Sequence, residues 1–141
     1  MLKNIPRSFT PDLIKLMMEM GHGEELLIAD ANYPALTTGG NIPRLYITGH
    51  KISELLADIL RFFPLDEMAD FPAVVMEAAK ESEVYDIYSD LLKTAGSKGK
   101  IETAERFDFY KRAANVTGIV ITSDTVKAGN ILIKKGVVRE F

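Results

Sequence analysis

The residues able to do chemistry in this chain sit in three short stretches. The first, Gly21-His22-Gly23-Glu24, sets an imidazole between two glycines. The backbone there is free to take unusual angles, and no adjacent side chain shields the ring. An imidazole in that setting suits proton transfer near neutral pH. The same pattern also reads as a helix C-terminus whose exposed histidine favours the negative end of the helix dipole. The second stretch is Ala29-Asp30-Ala31-Asn32-Tyr33-Pro34, where Asp30 follows the apolar run Leu26-Leu27-Ile28-Ala29. Ligands of open α/β sheets collect at the C-terminal ends of strands, yet such an aspartate equally caps the turn that follows it. One short strand separates His22 from Asp30, so a shared crevice is compatible with the spacing but not required by it. The third stretch pairs Arg106-Phe107-Asp108-Phe109-Tyr110 with Ala128-Gly129-Asn130. Arg106 can hold hydroxyls or a carboxylate, and Gly129-Asn130 can present backbone and amide donors. Taken singly, Arg106 reads as a solvated helix residue, the aromatics as core and Gly129-Asn130 as a turn.

Other chemistries lack their residues. The chain has no cysteine, which excludes disulfides, thiolate nucleophiles, Cys-ligated zinc and iron–sulfur clusters. Its two histidines, His22 and His50, are not at a metal-ligand spacing. No G-x-G-x-x-G follows a strand, and neither a P-loop nor a G-x-S-x-G elbow occurs. With 17 Lys+Arg against 20 Asp+Glu, and no dense basic stripe, the chain is a poor match to nucleic acid. Apolar runs of about five residues are too short to span a bilayer. The N-terminus has no apolar signal core, which argues against secretion. Together with the absent cysteine this leads us to expect a cytoplasmic protein.

The elements that must position these residues follow from periodicity. Thr10-Pro11 starts a helix over about 11–20, with Leu13, Ile14, Leu16, Met17 and Met20 at helical spacing. Residues 26–29 form a short buried strand, 31–41 a loop, and 45–47 another short strand. A helix begins near Ser53, and Pro64 stops it. Residues 72–76 are a buried strand, and a helix through Val84, Tyr88 and Leu92 closes at Gly96. A strand over 100–103 precedes a helix over 104–114, with Phe107 and Tyr110 on one side. Residues 117–122 and 131–133 are the last two strands. Alternating strands and helices, with several strands apolar on both faces, predict one α/β domain over residues 1–141. Its sheet is expected to be largely parallel, flanked by helices on both faces.

Taken together the stretches resemble a known family. Residues 19–25 (Glu-Met-Gly-His-Gly-Glu-Glu) and 29–35 (Ala-Asp-Ala-Asn-Tyr-Pro-Ala) look like the N-terminal signature of the RbsD/FucU sugar mutarotases. Leu65-Asp66, Pro72 to Met76, Arg106-Phe107-x-Phe109-Tyr110 and Gly129 to Val137 follow in the family's order. Arg-Phe-x-Phe-Tyr is the pattern of the fucose branch. The resemblance implies an RbsD-like fold and interconversion of the α and β anomers of L-fucose, without metal or cofactor. It implies that His22 is the catalytic proton donor and that Asp30 and Arg106 bind sugar. Positions 128–130 match a Tyr-Gly-Asn segment, so Gly129 and Asn130 carry over, while Ala128 stands where the family has tyrosine. Residues 46–49 (Tyr-Ile-Thr-Gly) depart from the branch's Arg-Ala-Asp-Gly. The resemblance also implies a ring-shaped homo-oligomer, commonly a decamer, with sites near subunit contacts. Two alternatives share these residues: pyranose–furanose interconversion of ribose, and a non-catalytic sugar-binding module.

Overall fold

The computed structural model describes residues 1–140. In chain order the elements are α1 (Pro11–Glu19), β1 (Glu25–Ala29), α2 (Ala35–Gly39), β2 (Arg44–Ile47) and α3 (Ile52–Leu60). Next come β3 (Ala73–Met76), a 3-10 turn (Glu77–Glu81), α4 (Val84–Thr94), β4 (Ile101–Ala104), α5 (Arg106–Ala113), β5 (Gly118–Thr122) and β6 (Ile131–Lys134). The strands form one sheet in the order β2-β5-β1-β6-β3-β4. The pairs β2–β5, β5–β1 and β3–β4 are parallel, whereas β6 runs antiparallel to both β1 and β3. The largely parallel sheet expected from the sequence is present, with one opposed strand in its middle. Five strands therefore end at the same edge, and the loops that follow them converge there.

Side-chain alternation divides the core into two layers. Leu26, Ile28, Val75, Val120 and Ile131 face α1, α3 and α4. Leu27, Ala29, Val74, Ile119 and Leu132 face α2 and α5. Leu26, Leu27 and Ile28 are all fully buried, and each such side chain contributes roughly 1.5–3 kcal/mol of hydrophobic stabilisation. Helix α1 starts as its sequence dictates: the Thr10 hydroxyl accepts from the Leu13 N–H at 3.2 Å, and Pro11 occupies the first helical position.

Three details differ from expectation. The stretch read as a loop over 31–41 contains α2, which no side chain caps. A 3-10 turn follows β3. On α5 the burial falls on Phe109 and Ala113, while Phe107 is exposed and Tyr110 only partly covered. Among the described residues, no helix is long and apolar enough to cross a membrane.

Candidate functional site

At the C-terminal edge of the sheet, Asp30 directly follows β1, and Asn130 directly precedes β6. The two strands pair in register with Ile28 opposite Ile131, so the residues just beyond them meet. The Asp30 N–H donates to Asn130 Oδ1 at 2.8 Å, and Asp30 Oδ1 accepts from the Asn32 N–H at 2.8 Å. Asp30 is only 8% exposed. Burial pushes its carboxyl above the ordinary value. The nearby Asp124 charge adds to that push, and the Asn32 and Asn130 hydrogen bonds partly oppose it.

The turn before β6 is tightly held. Ala128 sits at φ 56°, in the left-handed region that few side chains adopt. Gly129 follows, and a Cβ there would approach Val126 Cγ1 to 2.4 Å, so a larger residue forces the Val126 side chain to shift. The Tyr88 hydroxyl donates to the Gly129 carbonyl at 2.7 Å. Asp124 ties three loops together. Its Oδ1 accepts from the Val126 N–H, its Oδ2 from the Ile52 N–H that opens α3, and its carbonyl from the Ala31 N–H.

Arg106 is the first residue of α5, at the same edge. Its Nε donates to the Tyr110 hydroxyl at 3.3 Å, and its guanidinium lies 5.5 Å from the centre of the Tyr110 ring. Tyr110 meets Tyr33 edge to face at 5.7 Å, and Tyr33 accepts a hydrogen bond from the Thr38 hydroxyl. The two tyrosines connect Arg106 to the loop that carries Asp30. The structure thus gathers Asp30, Arg106, Ala128, Gly129 and Asn130 at one edge. Such a cluster of carboxylate, guanidinium and amide suits a ligand rich in hydroxyls, which both donate and accept.

His22 is at the opposite edge. Its Nε2 is 3.2 Å from Asp66 Oδ1, and the ring is partly open to solvent while Asp66 is 6% exposed. The scaffold is a backbone weave: Gly23 N–H to the Lys135 carbonyl, Lys135 N–H to Glu24, Asp66 N–H to Lys134, and Gly136 N–H to Pro64. Burial alone would raise the Asp66 carboxyl, but hydrogen bonds from His22 and the Met68 N–H hold it below its ordinary value. A cleft of about 400 Å³ opens beside it, lined by Asp66, Asp70, Ser97, Lys98 and Lys100, among others. In the sequence Asp66 stands out only as part of the family pattern. No local spacing signals a partner 44 residues from His22.

The shared crevice that the His22–Asp30 spacing left open is not formed within one chain. β1 lies between them, and its five residues span roughly 13 Å at about 3.3 Å per residue.

Residues 3–138 match the RbsD / FucU transport protein family. The chain is 42% identical to the fucose mutarotase of Danio rerio, over 97% of this chain and 94% of that protein. It superposes on FucU from Bifidobacterium longum with a TM-score of 0.88 at 37% identity, covering 95% of this chain and 99% of that one. The fucose mutarotase of Streptococcus pneumoniae, solved in complex with L-fucose, gives 0.87 at 38% identity, covering 97% and 99%. With one six-stranded sheet packed on both faces, a strand-end cluster and a family match over nearly its whole length, this chain belongs to the RbsD / FucU family.

Proposed function

We propose that this chain, as one domain over residues 1–141, is an isomerase that interconverts the α and β anomers of L-fucose without metal or cofactor. The observation that carries this reading is the Asp30–Asn130 clasp, joined to Arg106 through Tyr33 and Tyr110, in a chain similar along its length to proteins named fucose mutarotase. In the reaction the anomeric hydroxyl releases its proton to water while His22 gives one to the ring oxygen. The C1–O5 bond breaks, the free aldehyde rotates, and the steps reverse on the other face. Asp30, Arg106, Gly129 and Asn130 orient the hydroxyls. This isomerisation already proceeds in water, so acid–base help of roughly 10²–10⁴-fold is enough.

His22 and the Asp30 cluster act on one sugar when the His22 edge of one copy meets the C-terminal edge of the next. Such head-to-tail contacts close into a ring, and a decamer accommodates them. Exposed Leu2, Met18 and Phe62 border an apolar groove of about 600 Å³ between the N-terminal segment and α1, or its continuation along Phe62. Exposed apolar surface of that kind supports self-association. The protein works in the cytoplasm on a monosaccharide, with no nucleic-acid or membrane partner.

Magnetisation-transfer NMR tests the reading across L-fucose, D-ribose and D-galactose. Exchange between L-fucose anomers well above the buffer rate is expected. Binding with exchange only at the buffer rate would mark a non-catalytic module, and pyranose–furanose exchange of ribose alone would mark the other isomerase.

A further inference from the structure

Tyr88 is the one aromatic residue on the buried face of α4, which otherwise supplies Val84, Leu92 and the small Ser89. It lies on α4 at 2% exposure, one turn from Val84 and Leu92 on the same buried face. A buried phenol needs a hydrogen-bond partner. This one reaches across the core to the Gly129 carbonyl at 2.7 Å, 41 residues away. That carbonyl belongs to the turn in which Ala128 holds φ 56°, a conformation that persists only when its surroundings impose it.

Besides the turn's own bond from the Gly129 N–H to the Val126 carbonyl, three contacts hold it. Asp124 Oδ1 accepts from the Val126 N–H, the Asp30 N–H donates to Asn130 Oδ1, and Tyr88 holds Gly129 between them. Asp124 and Asp30 are themselves in loops at this edge. Tyr88 alone of the three is rooted in a helix of the core. We propose that Tyr88 is a positioning residue of the sugar site, whose hydroxyl fixes the Ala128-Gly129-Asn130 turn in its ligand-ready position. The proposal rests on the sugar-site reading above. Burial, with the Asp124 and Asp30 charges nearby, holds the phenol protonated well above its ordinary range, so it remains a donor at any working pH. Removing it leaves the Gly129 carbonyl without that donor and frees the turn to move, which weakens sugar binding before it touches proton transfer.

Tyr88→Phe removes one oxygen and keeps the packing. Tyr85→Phe is the control, because the Tyr85 hydroxyl leaves the same helix for the Ile101 carbonyl at 3.4 Å, on a strand away from the turn. Titration with L-fucose by NMR gives Kd, and anomer exchange gives KM and kcat. Tyr88→Phe is expected to raise Kd and KM by up to about tenfold, the worth of one neutral hydrogen bond, with kcat much less affected. The Gly129 amide, which donates to the Val126 carbonyl, should exchange with deuterium faster in this variant. Tyr85→Phe should leave all three at wild-type values. Wild-type Kd and KM in folded Tyr88→Phe, or an equal loss in both variants, overturns the proposal. Wild-type protein that binds L-fucose without exchanging its anomers overturns the mutarotase reading and leaves the Kd comparison to decide on Tyr88. Wild-type protein that does neither overturns both.

Discussion

His22 and Asp30 are eight residues apart in the chain and stand at opposite ends of β1, each fixed by a partner from a distant segment. Asp66 holds the imidazole, and Asn130 holds the Asp30 backbone. One protomer therefore presents the imidazole on one edge and the carboxylate–amide cluster on the other. Neither edge holds both.

That division predicts complementation. Separately, His22→Ala and Asp30→Ala should each lose anomer exchange while keeping a wild-type circular dichroism spectrum. Co-expressed in equal amounts, they should recover activity, because mixed contacts place an intact His22 beside an intact Asp30. Random head-to-tail pairing restores about a quarter of the sites. Light scattering on the wild type should give a mass well above 15.7 kDa. No recovery in a confirmed mixed assembly would mean that the two residues do not meet across a contact.

The two edges were unequally legible. Thr10-Pro11, the short apolar run 26–29 and the spacing of Val84, Tyr88 and Leu92 carry their structure locally, so the elements were readable within a residue or two. The direction of β6 was not, because Ile131-Leu132-Ile133 is apolar on both faces and such a run has no polarity. Helix α2 was missed because Thr37-Thr38-Gly39-Gly40 carries loop residues and Pro34 offers no capping side chain. The first amide of α3 is capped by Asp124, 72 residues on, which no window of sequence can display. Of the candidate site, His22, Asp30 and Arg106 were visible as residue types. Their separation was not, since it depends on which edge each strand end occupies.

Asp66 should tune His22. Its carboxyl is held below the ordinary 3.8 in the folded state. Stability from this interaction is thus fully present above that value and is lost as pH falls through the lower folded value. Asp66→Asn keeps an acceptor for the Met68 N–H but removes the charge facing the imidazole. Exchange should fall, by less than in His22→Ala, and the acid limb of the Tm profile below about pH 3.8 should flatten. A variant as active as wild type would show that the contact does nothing for the reaction.

Asp30 has the opposite sign. Burial raises its folded pKa above 3.8, so the folded state binds more protons than the unfolded chain between the two values. Stability then falls as pH rises through that window, and the cost of the buried charge persists above it. Asp30→Asn removes the cost and still offers an oxygen to the Asn32 N–H. At neutral pH its Tm should equal or exceed that of the wild type, and the gain should vanish below about pH 3.8. Anomer exchange should be strongly reduced in the same protein. Thermal melts across pH, paired with NMR exchange, check both halves, and a large loss of Tm at neutral pH would show that the carboxylate is needed for folding.

In the pattern that residues 128–130 resemble, a tyrosine stands where this chain has Ala128, and the local backbone bears on what introducing it would do. The backbone is at φ 56°, and a tyrosine strains this conformation about as alanine does, since both carry a Cβ. Ala128 is partly buried against the first core layer and directly precedes Gly129 and Asn130, so a ring added there is placed at the edge that holds Asp30 and Asn130. Tyr33 is poorly placed to supply a phenol in its stead, because Thr38 and Tyr110 hold it where it is. Tyr46 is exposed on the edge strand β2, and a neighbouring copy is the remaining source. One neutral hydrogen bond contributes roughly 0.5–1.5 kcal/mol, a factor of about 2–13 in affinity. Ala128→Tyr should therefore lower KM for L-fucose by a few-fold with little change in kcat, and should narrow the choice among L-fucose, D-galactose and D-ribose. An unchanged or higher KM would mean that Tyr46 or the neighbouring copy already fills the space that alanine leaves.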